Sequence, residues 1–200
     1  MASVTRAAKA AATFVTTLPS SPTDGQEVFY QSTTAGTGGG ASNSMADVGA
    51  VWHLRYRSAS ASAYKWESVG GPRLNHSVQD GDVFSGESTS SATYVALTTA
   101  GPRITLPLAG DYEISLGFTG YGGTAGAVST MSYDIGGTGA VDADACQIYQ
   151  STAVNIVTVP SRVRVKTGLT AVTLTAKYKS SSGTANYWNR TMSVAPIRVG

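Results

Sequence analysis

The sequence predicts an all-β protein, and three observations support this prediction. Apolar and polar residues alternate with period two in segments such as DYEISLGF (111–118) and AVTLTAKYK (171–179), the pattern of a strand with one buried face. Such segments are short, rich in β-branched residues and separated by Gly, Pro, Ser or Asp, as in sandwiches and barrels. No segment after residue 20 keeps a helical period.

Residues 1–17 are predicted to form an N-terminal docking arm. The segment RAAKAAA has helix propensity, but an isolated helix of fewer than about 12 residues is marginal in water. We therefore expect this arm to become ordered when it docks on another protein. Its candidate docking residues are Arg6, Lys9 and Phe14.

Residues 18–74 are predicted to form a small β module. Residues 27–31 read as a short strand after turn-forming Pro and Asp-Gly residues. In the stretch 51–72, period-two alternation on both sides of SASASA predicts an antiparallel hairpin with an aromatic face and a charged face. The aromatic residues are expected to be the core of this module, since each buries about 150–250 Å². Gly70, Gly71 and Pro72 should end the unit.

Residues 75–88 are polar and are predicted to be a linker, and residues 89–200 are predicted to form an antiparallel jelly roll. The segments expected to be its strands are SATYVALTT (91–99), PRITLPL (102–108), DYEISLGF (111–118), VSTMSYDI (128–135), VNIVTV (154–159), SRVRVKT (161–167), AVTLTAKYK (171–179) and TMSVAPIRV (191–199).

Composition and charge argue against several function classes. Charged residues make up 13% of the chain, the net charge is +2, and 72 of the 200 residues are Gly, Ser or Thr. The densest basic group, Arg162, Arg164 and Lys166, only alternates along one predicted strand, so we expect no nucleic-acid binding. No apolar run reaches the roughly 18–20 residues of a membrane span. The single cysteine, Cys146, excludes an internal disulfide and is expected to be a packed side chain.

The usual catalytic patterns are weak, and we expect a protein that is not an enzyme. The two histidines, His53 and His76, lie on the predicted charged face and in the predicted linker. Asp111 with Glu113 could form a carboxylate pair for glycoside hydrolysis, but both are expected to face solvent from one strand.

No cofactor and no metal are expected. Zinc would require more Cys and His than the chain has. Two acidic turns, with Asp80 and Asp82 and with Asp142 and Asp144, could each offer two carboxylates to calcium. Neither turn has EF-hand spacing, and both are expected to be ordinary turns.

The C-terminal half resembles the jelly-roll knobs of the complement-C1q/tumour-necrosis-factor type. The segments that carry the resemblance are TYVALTTAGPRITLPLAGDYEISLGF, MSYDIGG and TLTAKYKSSSGTANYWNRTMSVAPIRV. The resemblance implies a trimer about a three-fold axis, in which an apolar flank is buried between copies. Candidate residues for that interface are Tyr112, Ile114, Tyr133, Tyr178, Tyr187 and Trp188.

The N-terminal part resembles a small module of tailed-bacteriophage structural proteins, through LPSSPTDGQEVFYQ and WHLRYR…AYKWE…GGP. This implies a virion protein assembled in the host cytoplasm, acting as a fibre knob, tail component or head decoration. The expected partners are the chain itself, other virion proteins through the arm, and a host-surface glycan or protein. Surface binding is expected at the loops GYGGTAGAV and KSSSGTANYW, with Tyr121 and Asn186 as candidates.

Two other functions remain open at this point. A carbohydrate-binding or adhesive module of cellular origin would bind glycan through exposed Trp52, Trp66 or Trp188. A glycan depolymerase would require Asp111 or Glu113.

Overall fold

The computed structural model describes residues 12–33, 50–78, 86–153 and 155–200, and within them the regular structure is strand apart from one 3-10 turn at Asp142–Asp144. The all-β prediction is confirmed. In chain order the strands are β1 (Thr13–Val15), β2 (Glu27–Gln31), β3 (Val51–Tyr56), β4 (Trp66–Gly70), β5 (Leu74–Val78), β6 (Glu87–Thr89), β7 (Arg103–Thr105), β8 (Gly110–Gly122), β9 (Val128–Ile135), β10 (Cys146–Tyr149), β11 (Val157–Leu169), β12 (Thr173–Ser180) and β13 (Ala185–Val199).

The last eight strands form two facing four-stranded layers. One layer has the order β6-β13-β8-β11, and the other has the order β7-β12-β9-β10. Numbered one to eight along the chain, these orders are 1-8-3-6 and 2-7-4-5, the arrangement of a jelly roll. The predicted sandwich architecture is therefore confirmed.

The N-terminal strands continue the first of these sheets. β4, β5 and β6 follow one another along the same edge of β13, opposite β8. β3, β2 and β1 then extend the sheet outward from β4, with β1 parallel to β2 and the other pairs antiparallel. The two units predicted from the sequence thus share one nine-stranded sheet.

The predicted linker at residues 75–88 is wrong at both of its ends. Residues 74–78 are β5, paired with β13, and residues 87–89 are β6, also paired with β13. Residues 79–85 lie outside the described residues. The linker was predicted from the polar composition of these residues. Both strands nevertheless form, because β13 supplies their backbone hydrogen bonds whatever side chains they carry.

Three other segments differ from their predictions. Residues 91–99 contribute a single bridge, Val95 to Tyr178, rather than a strand. The two strands predicted at 154–159 and 161–167 are one strand, β11, with an irregularity between Val159 and Arg162. β10 was not predicted.

The predicted hairpin is confirmed as β3 and β4, and its apolar face points into the core. Trp52, Leu54 and Trp66 are almost completely buried. β4 ends at Gly70, and Gly71 follows with φ +126°, where a Cβ atom would lie 2.7 Å from the carbonyl oxygen of Val51. Only glycine fits this turn.

One core holds the N-terminal strands and the jelly roll together. The cluster of buried apolar side chains runs without a break from Val28 and Trp52 to Tyr112 and the second sheet. The Trp52 ring centroid lies 6.4 Å from that of Tyr112, and its indole N–H donates to the carbonyl of Pro72 at 3.1 Å.

Candidate functional site

The six residues expected at a trimer interface are buried inside one chain. Their exposed fractions are 1% or less, and all but Trp188 belong to the core cluster. Trp188 packs edge-on against Tyr121, and a Cβ at Gly86 would lie 2.9 Å from its ring. Side chains covered by their own chain cannot contact another copy, so this assignment is wrong. The residues concerned are Tyr112, Ile114, Tyr133, Tyr178, Tyr187 and Trp188.

The three tryptophans are buried as well. Trp52, Trp66 and Trp188 are 1%, 3% and 1% exposed. A platform of exposed tryptophans for sugar rings is therefore excluded, because a stacking surface must be open to solvent.

On the side of the first sheet that faces away from the second sheet, two rows of residues form a patch without net charge, and we call this patch the outer face. One row across the strands consists of Asn75, Ser193, Ser115 and Val163, in register on β5, β13, β8 and β11. Directly opposed residues share a face, so the small polar side chains lie side by side and are bordered by valine.

The neighbouring row on the outer face carries an ion pair and a second valine. Ala195, Glu113 and Val165 are in register, and Arg73 Nη1 lies 2.6 Å from Glu113 Oε1. The pair leaves this part of the face with no net charge. Val163 and Val165 are 45% and 58% exposed on the edge strand β11.

The basic residues of β11 point to the other side of the sheet. Arg162 and Arg164 donate to the carbonyls of Ala145 and Ala143, and Lys166 Nζ lies 2.6 Å from Asp144 Oδ2. These contacts hold the turn before β10. The cluster therefore has a structural role and does not form a basic surface.

A row of alternating charges joins the N-terminal strands to the jelly roll. Glu27, Arg55, Glu67, Arg198 and Asp111 are in register across β2, β3, β4, β13 and β8. Arg55 pairs with Glu27 at 2.8 Å, and Arg198 lies 3.8 Å from both Glu67 and Asp111. Cross-strand pairing on the charged face of the hairpin was expected, and here it reaches the main sheet.

Beside this row lies a row of aromatic rings that ends at the sheet edge. Phe14, Phe29 and His53 are in register, with centroids 5.0 and 4.8 Å apart. Phe14 is 66% exposed. Of the predicted docking residues, Phe14 is therefore available at the surface, whereas Arg6 and Lys9 lie outside the described residues.

The two carboxylates considered for catalysis are each held in place by other groups. Asp111 accepts hydrogen bonds from the Ser62 hydroxyl at 2.7 Å and the Gly168 backbone N–H at 3.0 Å and is 4% exposed. Glu113 is paired with Arg73. Both carboxylates thus connect neighbouring loops and strands of the fold.

The acidic turn at Asp142–Asp144 directs its carboxylates to different cations. Asp144 pairs with Lys166 and Asp142 with Lys179, each at 2.6 Å. Asp80 and Asp82 lie outside the described residues. Among the described residues, no three His, Cys, Asp or Glu side chains are grouped as metal ligands.

The candidates for surface binding lie on strands rather than in loops. Tyr121 and Asn186 are directly paired near the ends of β8 and β13, and both are half-buried. They border the two loops named in the sequence analysis. Their prediction as loop residues is wrong, because β8 and β13 are longer than their alternating patterns suggested.

One surface cleft was not anticipated. Tyr94, Asp142 and Lys179 line it, together with small residues from 92–93 and 139–141. The three residues are far apart in the sequence and belong to a loop, a 3-10 turn and a strand. No local sequence pattern could have brought them together.

Comparisons with known proteins give similarity in structure alone. No protein-family model and no curated protein matches the sequence. Similar solved structures include those of infectious bursal disease virus strains Gt and Gx, with TM-scores of 0.43 and 0.40 and identities of 10% and 12%. Each comparison covers 90% of this chain but 53% of the viral chain, so the chain spans about half of the length of those proteins.

A further similar structure is the C-terminal CBM6 of LamC from Zobellia galactanivorans. Its TM-score is 0.33 and its identity 18%, and the comparison covers 61% of this chain and 91% of that one. With TM-scores below 0.5, none of these comparisons supports an argument about function.

No helix among the described residues is long and apolar enough to cross a membrane.

Proposed function

We propose that the chain is a non-enzymatic structural protein of a tailed-phage virion, which assembles as a trimer and mediates attachment or surface binding as a fibre knob, tail component or head decoration. The observation that carries this proposal is the outer face, a patch of small residues without net charge on a sheet whose other side is already covered by the core. The low charge of the sequence and the N-terminal resemblance to phage structural proteins support the virion setting.

The trimer contact is proposed at the outer face instead of the six aromatic positions. A surface that meets its own copy must avoid opposing like charges, and here the small polar rows are neutral while the Arg73–Glu113 pair cancels. Val163 and Val165 add exposed apolar area on the edge strand. Their burial between copies removes this area from water.

The N-terminal segment is proposed to attach the trimer to the particle. Phe14 projects from β1, the edge of the nine-stranded sheet, and Arg6 and Lys9 precede it in the chain. Residues 13–15 pair with β2, so the test deletion removes residues 1–11 and leaves this pairing in place. It should abolish incorporation into particles and leave the trimer intact.

The oligomer is tested by placing a charge on the outer face. Val163→Glu should convert a trimer into folded monomers, as measured by light scattering with circular dichroism as the folding check. Val141→Glu is the matched control, because Val141 is 49% exposed, Val163 is 45% exposed, and Val141 precedes the Asp142–Asp144 turn rather than lying on the first sheet. A wild-type chain that stays monomeric at micromolar concentration, or a trimer unaffected by Val163→Glu, contradicts the proposed interface.

The virion setting is tested separately. Antibody labelling of purified particles by electron microscopy should place the chain on the virion surface. Its absence from purified particles would refute the virion role, whatever the oligomeric state.

A further inference from the structure

The cleft lined by Tyr94, Asp142 and Lys179 has a volume of about 530 Å³, within the usual range of small-ligand sites. It opens between the loop before β7, the turn before β10 and the strand β12. Gly139, which has no side chain, and Ala140, which has only a methyl group, form part of its wall and leave room for a ligand to approach the backbone.

The polar groups of the cleft are oriented by one another. Asp142 Oδ1 accepts from the Tyr94 hydroxyl at 2.7 Å and from Lys179 Nζ at 2.6 Å. Lys179 Nζ also lies 4.8 Å from the centroid of the Tyr94 ring, within cation–π range. The three side chains therefore need little reorganisation when a ligand binds, which lowers the entropic cost of binding.

This arrangement leaves hydrogen-bonding capacity unused. Asp142 Oδ2 accepts no hydrogen bond from the described residues, and the Asp142 side chain is 63% exposed. Hydrogen bonds from Lys179 and Tyr94 hold the pKa of Asp142 below its ordinary value, so the carboxylate is an acceptor at neutral pH. The Lys179 ammonium carries three N–H donors, more than the bond to Asp142 uses.

The charge balance of the cleft favours a neutral ligand. Asp142 and Lys179 cancel, so neither an anion nor a cation gains net attraction. Adjacent hydroxyl groups on a neutral ring can each donate and accept, so one can donate to Asp142 Oδ2 while its neighbour accepts from Lys179. Val141, 49% exposed, offers an apolar wall to the C–H face of such a ring.

We propose that this cleft binds a neutral saccharide unit of a surface glycan. The inference deepens the surface-binding part of the proposed function and rests on it. One unit held by two or three hydrogen bonds binds weakly. A trimer presents three such clefts, and simultaneous contacts with a multivalent glycan raise the avidity.

The experiment is a titration of the full-length chain, labelled with ¹⁵N, with methyl pyranosides of glucose, galactose, mannose, rhamnose and N-acetylglucosamine, followed by NMR. At least one should cause saturable shifts in the backbone signals of Gly139 and Val141. Asp142→Asn and Lys179→Met should each weaken that binding about tenfold or more, as expected for loss of a charged hydrogen-bond partner.

Asp24→Asn is the matched control and should bind as the wild type does. Asp24 is an exposed carboxylate that accepts from Ser58 at 2.8 and 2.9 Å in a turn of the N-terminal strands. Circular dichroism of each variant verifies the fold. The absence of saturable shifts for all five sugars overturns the proposal, as do shifts that persist unchanged in both cleft variants.

Failure of this inference can be separated from failure of the proposed function. A trimeric virion protein that binds none of the sugars refutes the saccharide cleft alone. A monomer that is absent from particles and still binds through Asp142 refutes the virion assembly alone.

Discussion

Replacement of Trp52 by alanine should destabilise the whole chain and not only the strands around it. Trp52 lies on β3, in the part of the chain that the sequence suggested to be a separate module, but it is 1% exposed. Its ring packs near Tyr30 and Tyr112, with centroids 6.1 and 6.4 Å away. Tyr112 is a central core residue of the jelly roll, so the cavity would open at the contact between the two parts.

The magnitude follows from the burial and the hydrogen bond. Truncation of a buried Trp or Phe to alanine costs about 3–5 kcal/mol, and the Pro72 carbonyl loses the indole N–H that it accepts at 3.1 Å. In a domain of about 200 residues, each kcal/mol lowers Tm by about 2–4 °C. A loss of about 4 kcal/mol therefore corresponds to a decrease of about 8–16 °C.

The assay is thermal and urea denaturation followed by far-ultraviolet circular dichroism and by tryptophan fluorescence. The two transitions should coincide in the wild type and move together in Trp52→Ala, because one core unfolds cooperatively. Tyr149→Ala is the control, since Tyr149 is 68% exposed, and its midpoint should change little. If Trp52→Ala instead showed a separate early transition while the main transition stayed at the wild-type midpoint, the shared core would be refuted.

Other predictions concern single titrating groups. Burial raises the pKa of the Cys146 thiol to about 12, so Ellman's reagent at pH 8 should label it only as fast as the protein unfolds; rapid labelling in native buffer would contradict this. Lys166→Met should cost about 2–4 kcal/mol in urea unfolding by stranding the buried Asp144 carboxylate, and adding Asp144→Asn should restore part of the loss. A double variant no more stable than Lys166→Met would disprove the pairing. Burial acts to raise the pKa of Glu87, but hydrogen bonds from Thr99 and Thr98 and the charge of Arg190 together outweigh it and hold that pKa below its ordinary value. Its stabilisation is therefore present above the unfolded pKa of about 4.3 and is lost as pH falls through the folded pKa. Glu87→Gln should make the urea midpoint fall less steeply between pH 5 and pH 3, and an unchanged slope would argue against this role.

The sequence predicted the strands whose two faces differ strongly. In residues 111–118 the alternation is clean, and Tyr112, Ile114 and Leu116 lie together on one buried face. β6 and β10 were not predicted, because they are only three and four residues long and follow polar or acidic segments. Conversely, residues 91–99 looked like a strand although Leu97 reaches the core from a loop.

The same alternation could not tell which apolar side chains belong to the core and which would meet another copy in the proposed trimer. Period two shows that Tyr178 and Tyr112 lie on apolar faces, but a sandwich uses those faces for its own core. The outer face consists of small polar residues and valines, such as Ser115 and Val163, which carry no strong signal in a sequence. No sequence pattern indicated the cleft either, because Tyr94, Asp142 and Lys179 come together only in the folded chain.

The position of β13 along three successive short strands has a consequence for biosynthesis. Among the described residues, β5 and β6 pair with β13 alone, more than 90 residues further along the chain. Closing loops of that length is entropically costly, and pairings between distant residues slow folding. A nascent polypeptide must therefore keep these segments unpaired until β13 has left the ribosome tunnel. Stalled or shortened translation products would expose strands with unpaired backbone N–H and C=O groups and should be prone to aggregation.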